Sequence, residues 1–370
     1  MRKKLSWLVI LAFVPFAIAC SDDDNPNPTG DSTVDAGVDS TPEADGTPES
    51  DGTPETDTVA TTNFEKLQIA ANAYLSVQTK DTILAAAPAL SDNLIDGDDT
   101  NDPYIVSVRS AEHYALGHIP GAVNHFYKDL GTADLSALPT DKEINVYCYT
   151  GHTGGLSATT LNIAGYEARN VLFGIMSWTK NATVRGKTPF AEHTDERTVE
   201  TTENTVTDAF DPVDLSAFTS TDTKALVFEA YGAYITSLGA DGSPVTKASV
   251  LFENLNDGDD TNNPQIISVR SAEDYAKGHI TGAINIPWTD IAKPENLAKI
   301  DPSKPVVVYC YTGHTGAIAS TALALLGYDV KNLLHGIMSW TSDADVRVKP
   351  PFSEDHASVG EFVFEGTEAP

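Results

Sequence analysis

The chain repeats itself. LSDNLIDGDDTNDPYIVSVRSAEHYALGHIPGAVN at residues 90–124 returns as LFENLNDGDDTNNPQIISVRSAEDYAKGHITGAIN at 251–285, an offset of 161 residues. INVYCYTGHTGG (144–155) returns as VVVYCYTGHTGA (306–317), and NVLFGIMSWT (170–179) returns as NLLHGIMSWT (332–341), both at an offset of 162. A period this long describes tandem domains and not a solenoid, because one copy is large enough to bury a core. The expected division is a first repeat at 63–193, a polar linker at 194–219, a second repeat at 220–356 and a C-terminal tail at 357–370. Each repeat carries its own strands, helices and loop, so each is expected to fold separately.

Within a repeat, strands and helices alternate. YIVSVR and QIISVR are short β-branched runs, each leading into SAE, where Ser110 or Ser271 is expected to cap a helix. EINVYC and PVVVYC are nearly continuous apolar runs, the pattern of a strand covered on both faces of a parallel sheet. After each cysteine comes a helical stretch, GGLSATTLNIAGY or GAIASTALALLGY, with Gly165 or Gly327 as the stop. A further strand, RNVLFG or VKNLLHG, follows. The alternation implies an α/β class, two tandem domains each built on a mostly parallel sheet flanked by helices. Ligands of such sheets lie beyond the carboxyl ends of the strands, where Cys148 and Cys310 fall.

Strand, cysteine, glycine-containing loop, helix: this order aims backbone N–H groups and a helix N-terminus at the sulfur. Negative charge is favoured there, as a thiolate or as a bound anion. Gly151 and Gly313 permit the tight curl. A buried structural cysteine would also suit the end of an apolar strand, but that reading leaves the copied CYTGHTG unexplained.

At these residues both repeats resemble the rhodanese (thiosulfate sulfurtransferase) family, whose active loop runs Cys-x-x-Gly-x-Thr/Arg. Cys148-Tyr149-Thr150-Gly151-His152-Thr153 and Cys310-Tyr311-Thr312-Gly313-His314-Thr315 both comply, in the Thr version. A second family signature, aromatic-x3-His-Ile-Pro-Gly-Ala, spans Tyr114 to Ala122 and returns at Tyr275 to Ala283 with Thr281 replacing proline. The family's strand-end Asp-x-Arg is here Ser107-Val108-Arg109 and Ser268-Val269-Arg270, with Glu112 and Glu273 as candidate partners for the arginines.

The resemblance implies a sulfurtransferase that needs no cofactor. Cys148 and Cys310 would each take a sulfane sulfur from a small-molecule donor (thiosulfate or another persulfide- or polysulfide-type species) and pass it to a nucleophilic acceptor. The other loop residues, Tyr149 to Thr153 and Tyr311 to Thr315, would cradle the persulfide anion. Thiosulfate-preferring members often carry a basic residue just after the cysteine, where this chain has Tyr149 and Tyr311. His152 and His314 either supply the missing cationic or proton-donating function or face solvent without a role. A reading of another class also stands, a catalytically silent binding module that recognises a sulfur species or a partner protein.

Other chemistries fit less well. A cysteine phosphatase needs Cys-x5-Arg to hold its oxyanion, and 148–160 contains no Arg or Lys. Cys148 and His152 supply two ligands where zinc needs four, so no metal site is assigned. A Cys148–Cys310 disulfide would require the two loops to face each other at bonding distance. DGDDTND (96–102) and DGDDTNN (257–263) alternate oxygen ligands as calcium loops do but lack the downstream Glu, and a solvated turn is the better reading. A net charge of −30 argues against nucleic-acid partners.

The first twenty residues, MRKKLSWLVILAFVPFAIAC, resemble a bacterial lipoprotein signal peptide. Arg2, Lys3 and Lys4 precede an apolar Leu8–Ile18 too short to span a bilayer, and Cys20 is the expected lipid-attachment residue. Residues 21–62, rich in Asp, Pro, Gly, Ser and Thr and free of Lys, Arg and aromatics, are expected to form a disordered acidic tether of ~35 Å reach. The expected location is therefore the bacterial cell envelope, lipid-anchored and facing the periplasm or exterior.

Overall fold

A computed structural model of the chain describes residues 61–190, 197–240, 242–350, 352–353 and 359–368. The signal segment, Cys20 and the tether up to residue 60 lie outside the described residues.

Five parallel strands form the first sheet: β1 (Leu84–Ala85), β2 (Tyr104–Ser107), β3 (Val123–Asn124), β4 (Ile144–Tyr147) and β5 (Ala168–Val171), in the order β1-β5-β4-β2-β3. Between the repeats runs β6 (Val199–Glu200). The second repeat supplies β7 (Val245–Thr246), β8 (Gln265–Ser268), β9 (His279–Ile280), β10 (Ile284–Asn285), β11 (Val306–Tyr309) and β12 (Val330–Leu333). Its sheet, β10-β8-β11-β12-β7, is the first one read backwards, and every pairing in it is parallel. The apolar runs INVY and VVVY take the central positions and are buried at all four residues, as a strand covered on both faces must be. Ser110 and Ser271 cap their helices, and Gly165 and Gly327 take the left-handed conformation (φ +91° and +87°) that stops the helices before them.

The repeats do not stand apart. The helices His152–Ile163 and His314–Leu325, one from each repeat, pack directly on each other and are buried along nearly their whole lengths. Small residues allow this: a Cβ on Gly155 would sit only 3.1 Å from the Ala317 methyl. Helix Asn63–Leu75, started by a Thr62–Glu65 capping box, buries Phe64, Leu67, Ala71 and Leu75 and reaches across to the second repeat, where Gln68 bonds the Ala292 carbonyl (2.7 Å). Helix Thr223–Ser237 reaches the other way, its Tyr231 hydroxyl donating to the Tyr127 carbonyl (2.6 Å). One apolar core runs through both repeats, joining Leu67, Val146 and Leu156 to Tyr231, Val308 and Ile318.

The chain ends are exchanged as well. After the first repeat, β6 pairs with β9 of the second, and the Trp340 indole donates to the Thr198 carbonyl (2.9 Å). After the second repeat, the chain returns to the first. His118 and Glu365 form an antiparallel bridge, the Trp178 indole donates to the Val363 carbonyl (2.8 Å), and Phe364 is buried. The described part of the expected tail is thus a structural element of the first repeat. The described residues fall within one compact unit.

Where the loop helices begin, His152 and His314 stack with ring centroids 5.8 Å apart. His314 Nε2 accepts the Phe173 backbone N–H (3.1 Å), and His152 Nε2 accepts the His335 backbone N–H (3.0 Å). Both rings are buried, which overturns the solvent-facing reading. An N–H group can only donate, so each Nε2 is an unprotonated acceptor and each Nδ1 carries the proton, facing Thr150 or Thr312 Oγ1 (2.9 and 3.0 Å). Burial, reinforced by His335 and His314, holds His152 well below the ordinary histidine range. Burial and then His335 bring His314 to about 3, and burial brings His335 to about 4. These are neutral interface histidines, not cations.

Two outcomes follow from this architecture. Deleting residues 360–370 removes the cover of Trp178 and the burial of Phe364, and should cost about 3 kcal/mol in urea unfolding with red-shifted tryptophan emission. The depressed folded-state values of His314 and His335 make stability complete above the unfolded value near 6.5 and progressively lost as pH falls toward 3–4. The unfolding free energy in urea should fall between pH 7 and pH 5, by about 2 kcal/mol for each histidine, and His314→Gln should flatten that slope.

Candidate active site

Each cysteine is the first residue beyond a central strand. Cys148 follows β4 and Cys310 follows β11, both 1% exposed and both free thiols, with no disulfide between them. The Gly151 N–H donates to Cys148 Sγ and the Gly313 N–H to Cys310 Sγ, each at 3.1 Å. Those glycines take φ +89° and +94° and N-cap the loop helices. A Cβ at either one would strike the histidine of the other repeat, so glycine is required both by the curl and by the neighbour.

The loop carbonyls are held from behind. In the first repeat the Ile175 and Met176 N–H groups donate to the Cys148 and Tyr149 carbonyls (2.9 and 3.2 Å), and Asn170 Nδ2 donates to the Gly151 carbonyl (2.8 Å). In the second, Ile337 and Met338 hold Cys310 and Tyr311 (2.9 and 3.3 Å), and Asn332 holds Gly313 (2.8 Å). With the carbonyls so engaged, a backbone donor faces the sulfur at the start of a 12-residue helix, the electrostatic setting that favours an anion. The hydroxyls of Thr153 and Thr315 have no protein partner among the described residues, whereas those of Thr150 and Thr312 are turned to the histidines. The His152 and His314 side chains are likewise committed to the interface, so their residues contribute to the cradle through backbone alone.

The rims differ. The Tyr149 hydroxyl meets His113 Nδ1 (2.7 Å) and Ser110 Oγ (3.2 Å), and Lys187 Nζ lies 5.4 Å from its ring centre. The Tyr311 hydroxyl donates to the Asp274 carboxylate, which pairs with Lys277, and Lys80 Nζ lies 5.4 Å from its ring centre. Burial, and then the hydrogen bond to Asp274, hold the Tyr311 phenol above its ordinary value, so it remains a donor. Lys80 belongs to the first repeat, so the second site is completed across the interface. Local sequence gives no hint of either lysine. They lie far along the chain from the tyrosines they overhang.

A further expectation changes. Arg109 and Arg270 do not pair with Glu112 and Glu273. Buried, they donate to the Val184 and Gly117 carbonyls and to the Val346 and Gly278 carbonyls. A main-chain pocket replaces the missing aspartate, while Glu112 is exposed and Glu273 pairs with Lys277. In the DGDDTN segments, Asp96, Asp98, Asp257 and Asp259 accept hydrogen bonds from their own turns. That is the geometry of Asx-turns.

Comparison with known proteins agrees with this arrangement. The rhodanese-like domain family matches residues 87–181 and 251–343. A 3-mercaptopyruvate sulfurtransferase of Escherichia coli K12 is 32% identical over 113 residues, which is 24% of this chain and 40% of that protein. A thiosulfate sulfurtransferase of Pseudomonas fluorescens is 36% identical over 76 residues, 20% of this chain and 68% of that protein. Among solved structures, a rhodanese-like domain protein of Staphylococcus aureus shares 26% identity over 27% of this chain and 92% of its own, with a TM-score of 0.24. The chain thus spans about two fifths of the length of the E. coli relative. Two matched segments, each containing one of the two cysteine loops, together cover half of the sequence: the chain belongs to the rhodanese family and carries two rhodanese-like domains in tandem.

Proposed function

We propose that the protein is a sulfurtransferase working through cysteine persulfides at both Cys148 and Cys310. The observation that carries this reading is the backbone N–H of Gly151, and of Gly313, turned onto the sulfur at a helix N-terminus. With thiosulfate as donor, the cysteine thiolate attacks the outer sulfur, the S–S bond of thiosulfate breaks, and sulfite leaves with the bonding electron pair. A nucleophilic acceptor, such as a small thiolate, then attacks the outer sulfur of the cysteine persulfide and releases the cysteine thiolate. The loop amides and helix N-terminus stabilise the anion in both halves of this ping-pong cycle. Lys187 and Lys80 supply at each mouth the positive charge that the position after the cysteine lacks, which suits an anionic donor.

The near-complete burial of both thiols is the observation that favours the second reading, a silent module that binds a sulfur species or a partner protein. Mass spectrometry separates the two. Incubated with thiosulfate, the wild-type chain should gain two transferable sulfur atoms, Cys148→Ser and Cys310→Ser one each, and the double variant none. A wild type that gains none from thiosulfate or polysulfide would leave the silent module. Lys187→Ala in the Cys310→Ser background should lower kcat/KM for thiosulfate about 3- to 10-fold and weaken its salt dependence.

The same proposal places the chain at a bacterial cell envelope, anchored through lipid on Cys20. The basic n-region, short apolar core and acidic segment that follow one another in residues 1–62 support it. Metabolic labelling with a fatty acid should mark the wild type and not Cys20→Ser.

A further inference from the structure

The two loops are joined by two short routes of hydrogen bonds and peptide links, each crossing the domain boundary once. From His314 Nε2 the first passes to the Phe173 N–H (3.1 Å). Phe173 is one of three described non-glycine residues with positive φ (59°), a conformation that costs a residue with a Cβ about 1 kcal/mol unless its surroundings hold it. Gly174 follows directly, so close to the Cys148 carbonyl that a Cβ there would collide with it. The next two N–H groups, of Ile175 and Met176, grip the carbonyls of Cys148 and Tyr149.

The mirror route has the same parts. His152 Nε2 accepts from the His335 N–H (3.0 Å), His335 has φ 64°, Gly336 abuts the Cys310 carbonyl, and Ile337 and Met338 hold Cys310 and Tyr311. Edge contacts close the cluster, Phe173 against His314 at 4.8 Å and His335 against His152 at 5.0 Å. Every joint in each route is a hydrogen bond or a peptide link, so the turn at 173–176 and the loop at 148–151 share one geometry.

We propose that each histidine is a positioning residue for the nucleophile of the opposite repeat: His314 sets the Cys148 loop and His152 sets the Cys310 loop. The inference rests on the sulfur-transfer reading of the two cysteines and adds that neither site is complete within its own repeat. Withdrawing the Nε2 acceptor leaves the Phe173 or His335 N–H buried without a partner, which relaxes the left-handed turn and, through it, the two carbonyl grips beneath the sulfur. The N–H of Gly151 or Gly313 then loses its aim, although no residue of that repeat has been changed.

The test reads one cysteine at a time in the full-length chain. In the Cys310→Ser background only Cys148 remains in the loops, and His314 has no reacting sulfur of its own to serve. His314→Gln keeps an acceptor near the position of Nε2. His314→Asn keeps the group near Nδ1 that meets Thr312 and withdraws the distal acceptor. Thiosulfate loading of Cys148, followed by intact mass, should slow at least 10-fold in the Asn variant and stay within about 3-fold of the parent in the Gln variant. The reciprocal pair, His152→Asn and His152→Gln in Cys148→Ser, should act in the same way on Cys310.

Alkylation of the same cysteine by iodoacetamide is followed in parallel and does not depend on sulfur transfer. A parent that alkylates but never loads sulfur counts against the transfer reading alone, and the alkylation rates of the Asn and Gln variants then decide the positioning claim. Equal rates for parent, Gln and Asn would overturn it. So would equal slowing by Gln and Asn, which would mark volume rather than the acceptor. If the Asn variant does not unfold cooperatively, His314→Phe replaces it as the acceptor-free form. Loss of folding in both, with Gln folded, would assign the acceptor to assembly of the interface and overturn positioning of the loop.

Discussion

The cross-repeat bonds of His152 and His314 are the constraint around which the rest is arranged. A buried N–H without a partner costs about 1–3 kcal/mol, and a left-handed Phe or His is unfavourable in itself. The two costs fall on the same residues, Phe173 and His335, and one imidazole nitrogen from the other repeat answers both. To deliver that nitrogen the loop helices must begin side by side, which requires the small residues of their contact face. Gly151 and Gly313 are then constrained twice, by their own backbone conformation and by the imidazole lying against them. The exchanged ends act in the same direction. β6 seals the second repeat and the 360–368 segment seals the first, so separating the repeats would uncover Trp178 and Trp340 as well as the histidine pair.

Much of this architecture can be read from single stretches of sequence. INVY and VVVY are nearly continuous apolar runs because they are buried on both faces, and a central parallel strand is what such a run describes. Ser110 and Ser271 can be read as caps, and Gly165 and Gly327 as stops, because their reasons lie within one turn of chain. The loop glycines are legible for the same reason. Much of what escaped depends on the other copy or on backbone far along the chain. Nothing beside His152 in the sequence tells that His335 will lie against it, because their nearness comes from the packing of two helices and not from spacing. Glu112 and Glu273 were credible partners for the buried arginines. The true ones are backbone carbonyls, which no residue type announces. The 359–368 segment reads as a tail because its apolar residues Phe362 and Phe364 are far in sequence from the tryptophan they pack with.

Duplication has left the two thiols alike and their mouths unlike. Both sulfurs receive a glycine N–H at the same distance, and both loops are gripped by the same Ile–Met pair of amides. At the rim, His113 and Lys187 surround Tyr149, while Asp274, Lys277 and the borrowed Lys80 surround Tyr311. A shared cradle fits the shared persulfide chemistry proposed for the two cysteines. Under that proposal, different rim charges would let donors or acceptors distinguish the two sites.

The turn behind each cysteine is held by the other repeat. Hydrogen exchange of the peptide spanning residues 170–177 tests this without any reaction. In the full chain the Phe173 amide should be strongly protected. His314→Asn should speed exchange in that peptide by an order of magnitude or more, His314→Gln should not, and strands β2 and β8 should keep their protection in both variants. Unchanged exchange at 170–177 in His314→Asn would contradict the account.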